Sequence, residues 1–188
     1  MSMQYDQQEK NRPSNHDFLG VIYMACNVHA TCIAVFLRRG FGKEALAWNG
    51  FLAFWLLILL GGGDVAFLYY FACWLVALIA QRIRTLAMLR KGVVIHTRYA
   101  GYPYWAMKVP FVRSEDTAMG FVEPAMCFIA GALLCPLSVN IGGFVMLGVI
   151  TFMVRHGIDE EIDRKRLERL QDNAIETMWY AEQMRKRR

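Results

Sequence analysis

Hydrophobic positions in this chain fall in long unbroken runs, neither at the three- and four-residue steps of a half-buried soluble helix nor in the alternation of a surface strand. Two adjacent runs dominate: ALAWNGFLAFWLLILL from Ala45 and VAFLYYFACWLVALIA from Val65, separated by Gly61, Gly62, Gly63 and Asp64. From Ala45 to Ala80 there is no Lys, Arg or Glu, and the single charge, Asp64, sits in the turn. With its flanks, each arm at about 1.5 Å per residue approaches the ~30 Å of a bilayer's hydrocarbon core. The pattern predicts a transmembrane helical hairpin, with glycine and aspartate supplying a tight, wet reversal.

Three further runs follow the same logic. Residues 18–37, FLGVIYMACNVHATCIAVFL, match one bilayer thickness but carry Asn27, His29 and Thr31, polar groups that hydrocarbon tolerates when a neighbouring helix partners them. Residues 118–137 contain Glu123 and Pro124, and residues 141–154 are only just long enough to cross. Pro124 leaves the carbonyl of Gly120 without a helical donor, so a kink is expected there. The expected fold class is an all-α integral membrane protein with about five transmembrane helices, four if the first does not span, in two hairpins, plus a cytoplasmic amphipathic C-terminal helix.

Polar segments complete the organisation. Residues 1–17 form a flexible polar N-terminal tail, too poor in apolar surface to fold alone. Residues 18–154 form the membrane domain, interrupted at 81–117 by a basic, aromatic loop with seven basic residues against two acidic ones. Within it Arg82 to Arg90 can extend the second arm as a helix, and Gly92 with the β-branched Val93, Val94 and Ile95 should stop it. From residue 155 the composition turns abruptly polar, and Leu167, Leu170, Ala174, Met178 and Ala181 recur at helical steps, with Glu160–Arg164 and Glu161–Lys165 spaced as favourable pairs. Residues 155–188 therefore read as an amphipathic helical tail.

Charge then orients the chain. Of 21 Lys and Arg, 19 lie in the 38–43 loop, the 81–117 loop and the segment after Val154, which five spans place on one side; only Lys10 and Arg12 fall on the other. Cationic loops resist translocation, so the rich side is cytoplasmic, the N-terminus lies outside, and the setting is a cell membrane, by this reading a bacterial cytoplasmic one. A formal net charge of +5 beside membrane spans points to anionic headgroups and needs no nucleic acid to explain it. Five cysteines, all inside apolar runs, read as free thiols packed as small apolar groups.

Candidate chemistry is sparse. Asn27, His29 and Glu123 form a candidate intramembrane polar site, with Glu123 one to two turns inside its span and Arg113 or His96 as its expected partner. His96, Arg98, Tyr99, Tyr102 and Trp105 form a candidate contact in a loop rich enough in aromatics to lie at headgroup level. The tail stripe Leu167, Leu170, Ala174, Met178 and Ala181 is a candidate protein interface, though too narrow for a self-sufficient coiled coil, and Arg185, Lys186, Arg187 and Arg188 suit anionic lipid. His96 and His156 read as solvated histidines. Cys26, His29 and Cys32 stand at single-turn spacing, but one helix supplies too few ligands for tetrahedral zinc. No nucleotide, hydrolase or metalloprotease signature is present, so no cofactor or catalytic residue is expected.

These features support a non-enzymatic component of a larger membrane assembly, such as a secretion, conjugation or envelope complex, touching lipid and protein partners or further copies of itself through the 81–117 loop and the tail. A small oligomeric channel or carrier using Glu123 is the alternative, and a membrane-bound enzyme acting on lipid at the 96–105 loop a third.

Overall fold

A computed structural model describes residues 15–42, 47–61, 63–92 and 99–186, and over these the chain is all-helical. Helix α1 is Asn15–Leu37, α2 Ala47–Leu60, α3 Val65–Arg90, α4 Glu123–Leu134 and α5 Val139–Lys186. A 3-10 turn, Ala106–Lys108, sits in the loop between α3 and α4. A three-residue helical turn, Glu115–Thr117, and a π-helical segment, Ala118–Val122, lead directly into α4. Among the described residues, four helices are long and apolar enough to cross a membrane: α1 over Gly20–Leu37, α3, the Glu115–Leu134 unit and α5. The run from Ala45 yields the shorter α2, whose 14 residues extend about 21 Å.

Local chemistry fixes the ends. Asp64 caps α3, its Oδ1 accepting the backbone N–H of Ala66 at 2.9 Å. Helix α3 continues through the charged Arg82–Arg90 stretch and stops where Gly92 takes a left-handed φ of +76°, as the glycine there suggested. Ser114 caps the turn before α4, accepting from the Thr117 N–H at 3.1 Å. The disturbance expected from Pro124 takes the form of the π segment, in which the Glu123 N–H reaches back five residues to the Ala118 carbonyl.

One expected boundary has no counterpart in the backbone. Helix α5 runs 48 residues, about 72 Å, straight through the change of composition at Arg155. Arg155 is itself buried, because the packed bundle extends beyond the last apolar residue of the run.

The core gathers around the middle of α1. Every residue from Val28 to Val35 is buried, enclosed by α2, α3 and α5. Cys32 shows why a thiol suits this place: it lies fully buried beside the Val28 carbonyl and the Ala53 carbonyl of α2. Helices α4 and α5 meet through glycine, since a Cβ on Gly142 would stand 2.7 Å from the Cys135 backbone and one on Gly131 would stand 2.9 Å from the Gly142 carbonyl. The outward faces stay apolar: Phe51, Leu59, Leu68, Val76, Phe128, Leu133 and Ile150 are all exposed. So much apolar surface on the outer faces of α2, α3, α4 and α5 is what a bilayer covers.

Two opposite ends of the bundle are chemically distinct. At one, Asp64 and the 135–138 turn join: Ser138 donates to Asp64 Oδ2 at 2.5 Å and Asn140 donates to it at 3.3 Å. At the other lie the end of α1, the 99–117 loop and the start of α4, with most of the basic residues.

Candidate polar centre at the basic end

Arg38, one residue past α1, turns its side chain into the bundle. Its Nε donates to Glu123 Oε1 at 2.9 Å and Oε2 at 3.0 Å, a second guanidinium nitrogen donates to Oε2, and Nη1 reaches the Ala100 carbonyl at 3.3 Å. Glu123 is completely buried and Arg38 nearly so, with the guanidinium 5.4 Å from the centre of the Phe152 ring. A carboxylate in such a setting is stabilised by a cation that meets both oxygens, as the planar arginine fork does. Arg113 and His96, the expected partners, are replaced by Arg38; Arg113 lies in the exposed loop and His96 outside the described residues. The π segment presents Glu123 inward toward α1, whereas Arg113 stands on the polar stretch outside the helix.

A second buried cation adjoins the pair. Arg155 of α5 is within electrostatic range of Arg38, Asp159, Tyr23 and Glu123. Its Nε stands 3.5 Å from Asp159 Oδ2, and Asp159 in turn accepts from the Tyr23 hydroxyl at 2.7 Å. Two arginines and two carboxylates thus balance. Gln81 of α3 completes the centre, donating through Nε2 to the Val35 carbonyl at 3.1 Å and the Arg38 carbonyl at 2.7 Å. These carbonyls are among those the end of α1 leaves without a helical donor, so Gln81 acts as its cap from another helix.

The loop is docked onto the same end. Arg39 and Tyr102 exchange backbone hydrogen bonds at 2.9 and 2.7 Å, and the Gly42 N–H donates to the Tyr99 carbonyl at 2.9 Å. Gly101 takes φ +89°, and a Cβ there would press within 3.1 Å of the Phe41 ring and 3.2 Å of Arg38 Cβ, so the approach requires glycine. Arg39 lies 3.4 Å from the centre of Tyr104, and Lys108 lies 4.6 Å from Tyr104 and 5.0 Å from Trp105, a cation–π cluster on the surface. Lys108 and Arg39 hold the Tyr104 phenol below its ordinary value. Burial, then the negative Glu115 that its hydroxyl meets at 3.2 Å, pushes Tyr99 up to about 12.

The remaining sequence candidates separate. His29 lies nine residues before Arg38, about 13 Å along α1, where its Nδ1 meets Thr151 Oγ at 3.0 Å and its ring stands 4.5 Å from that of Phe144. Asn27 is on the same helix, its Oδ1 buried without a partner among the described residues. Asn27 and His29 are therefore not joined to Glu123 in one site. Tyr99, Tyr102 and Trp105 sit together in the docked loop; Arg98 and His96 lie outside the described residues, as do Arg187 and Arg188. His156, read as solvated, is partly buried, its Nε2 3.5 Å from Asp116 and its ring against Gly120. Leu167, Leu170, Ala174, Met178, Ala181, Arg185 and Lys186 all stand exposed on α5. Among the described residues no cluster of three or more His, Cys, Asp or Glu could hold a metal ion.

No protein-family model, curated protein or solved structure matches this chain.

Arg38, Gln81 and Arg155 are the participants that residue patterns missed. Arg38 reads as a loop marker, yet an arginine directly after one apolar run and a carboxylate just inside another, both on the basic side, is a pairing signal.

Proposed function

We propose that the chain is a non-enzymatic component of a larger membrane assembly, with α2–α3 and α4–α5 as transmembrane hairpins, the basic end cytoplasmic, and the far part of α5 carried into the cytoplasm as a docking arm. The observation that carries this reading is the exposure of α5 beyond the bundle. All 25 residues from 162 to 186 are exposed, about 37 Å of helix, including Leu167, Leu170, Ile175, Met178, Trp179 and Met184. An isolated helix of this length is marginal in water, and an apolar stripe along it gains stability by being covered. Ion pairs such as Glu161 with Arg164 at 2.6 Å and Lys165 at 3.3 Å support the helix without covering the stripe. The loop cluster of Arg39, Tyr104, Trp105 and Lys108 suits the headgroup layer, which would set the height of the arm.

The carrier reading is weakened because both oxygens of Glu123 are held by a buried arginine, which leaves neither free to take a cation. Photo-crosslinking residues placed at Leu170 and Met178, with Asp172 on the opposite face as control, test the arm in cells of the native source. The expected result is a protein adduct from the first two positions and none from the third. No adduct at any position, with recovery of the chain alone in mild detergent, would overturn the reading.

A further inference from the structure

We infer that α1 does not cross the membrane but enters and leaves on the basic side, so that the N-terminal segment lies on the same face as the α5 arm. The argument uses the two ends of the bundle as levels. Asp64, Ser138 and Asn140 mark the far level, and α5 begins there at Val139. Asp159 lies 20 residues further along α5, about 30 Å away, a full hydrocarbon thickness. Tyr23, in the early part of α1, donates to Asp159 at 2.7 Å. Arg38, just past the other end of α1, meets Glu123, the Gln81 side chain and the Ala100 carbonyl, and Gln81 lies 17 residues along α3 from Asp64, about 25 Å.

Both ends of α1 are therefore at the near level. A crossing helix with Arg38 where it is would place Tyr23, 15 residues earlier, about 22 Å deeper, far from Asp159. Between its ends α1 runs across the bundle: His29 meets Phe144 and Thr151 of α5, and Val28 to Val35 are buried by the surrounding helices. The polar residues Asn27, His29 and Thr31 then face protein.

The charge distribution supplies an independent check. With α2, α3, α4 and α5 as the crossing helices, the far side receives only the turns 61–64 and 135–138, which contain no Lys or Arg. All 21 basic residues, Lys10 and Arg12 included, then fall on one side. A crossing α1 would strand those two on the opposite side.

The inference depends on membrane placement but not on any partner for the arm. Its test is labelling of Ser14→Cys and Gln183→Cys by a membrane-impermeant maleimide, in intact cells and in inverted vesicles, with the modified peptide identified by mass. Labelling of both positions only in inverted vesicles is the expected result. Labelling of Ser14→Cys only from outside and Gln183→Cys only from inside would overturn the inference. Labelling of both only in intact cells would sustain the shared face while reversing the cytoplasmic assignment of the arm. A second measurement is independent of sidedness: Tyr23→Cys with Asp159→Cys should join through a short bifunctional thiol reagent in the membrane. Two modified but unjoined thiols would refute the contact.

Discussion

Removing one member of the Arg38–Glu123 pair should destabilise the fold far more than removing both. Glu123 is fully buried and accepts from two guanidinium nitrogens, while Arg38 also reaches the Ala100 carbonyl and lies over Phe152. Glu123→Leu leaves a buried guanidinium with Arg155, a second cation, within range and no nearby carboxylate of its own. Loss of one partner of a buried pair costs about 3–5 kcal/mol, whereas replacing both with apolar groups of similar volume is often neutral. For a chain of 188 residues, at about 2–4 °C per kcal/mol, each single variant should melt roughly 6–20 °C lower in detergent. Arg38→Met with Glu123→Leu should recover most of that loss, short of the hydrogen bond to Ala100. Thermal unfolding of the four proteins, followed by thiol accessibility of the buried Cys32 and Cys127, supplies the cycle. Additive single effects, or singles within about 1 kcal/mol of the parent, would refute the reasoning, because they would mean that water reaches the pair.

Gly142→Ala should loosen α4 from α5, since its Cβ would meet the Cys135 backbone at 2.7 Å; Gly143→Ala, with nothing within 4 Å, should be neutral or stabilise by up to about 1 kcal/mol, and melting temperatures compare the two. Gln81→Leu removes two donors from the end of α1 and should cost about 1–3 kcal/mol for each carbonyl left unpartnered, read in the same assay. Asp64 is held below the ordinary carboxylate value, first by Ser138 and then by the Ala66 N–H. Its contribution is thus present above the unfolded carboxylate value and lost as pH falls through the folded one. Stability measured from pH 6 down to pH 2 should therefore fall less in Asp64→Asn than in the parent.

Much of the architecture was legible because its cause is local. Long apolar runs give long apolar helices whatever their neighbours, and Gly92 and Asp64 mark ends by backbone chemistry that needs no tertiary partner. The misreadings share the opposite property. Arg155 begins a polar composition, but the helix does not respond to composition, and whether that arginine is solvated depends on Tyr23 and Arg38 from elsewhere in the chain. The interruptions at Asn27, His29 and Thr31 signalled that their run needs neighbours; its path relative to α5 was set by Tyr23 and Asp159, 136 positions apart.

Pro124 shows the limit most sharply. Its missing N–H announces a disturbance in the preceding turn, but a kink, a break and a π turn satisfy that signal equally. Ala118–Val122 adopts the π turn, and the extra residue it takes in rotates everything after it by about 100° relative to a regular helix counted from Ser114. In the helix so rotated, Glu123 faces α1 and meets Arg38. Gly120 makes the wider turn compatible with α5, because a Cβ there would stand 2.8 Å from His156 Nε2. A proline, a glycine and a carboxylate within five residues thus act together: the first loosens the helix, the second lets it approach α5, and the third is aimed by the result. Their spacing is visible in the sequence, while the facing it produces exists only once α1 and α5 are in place.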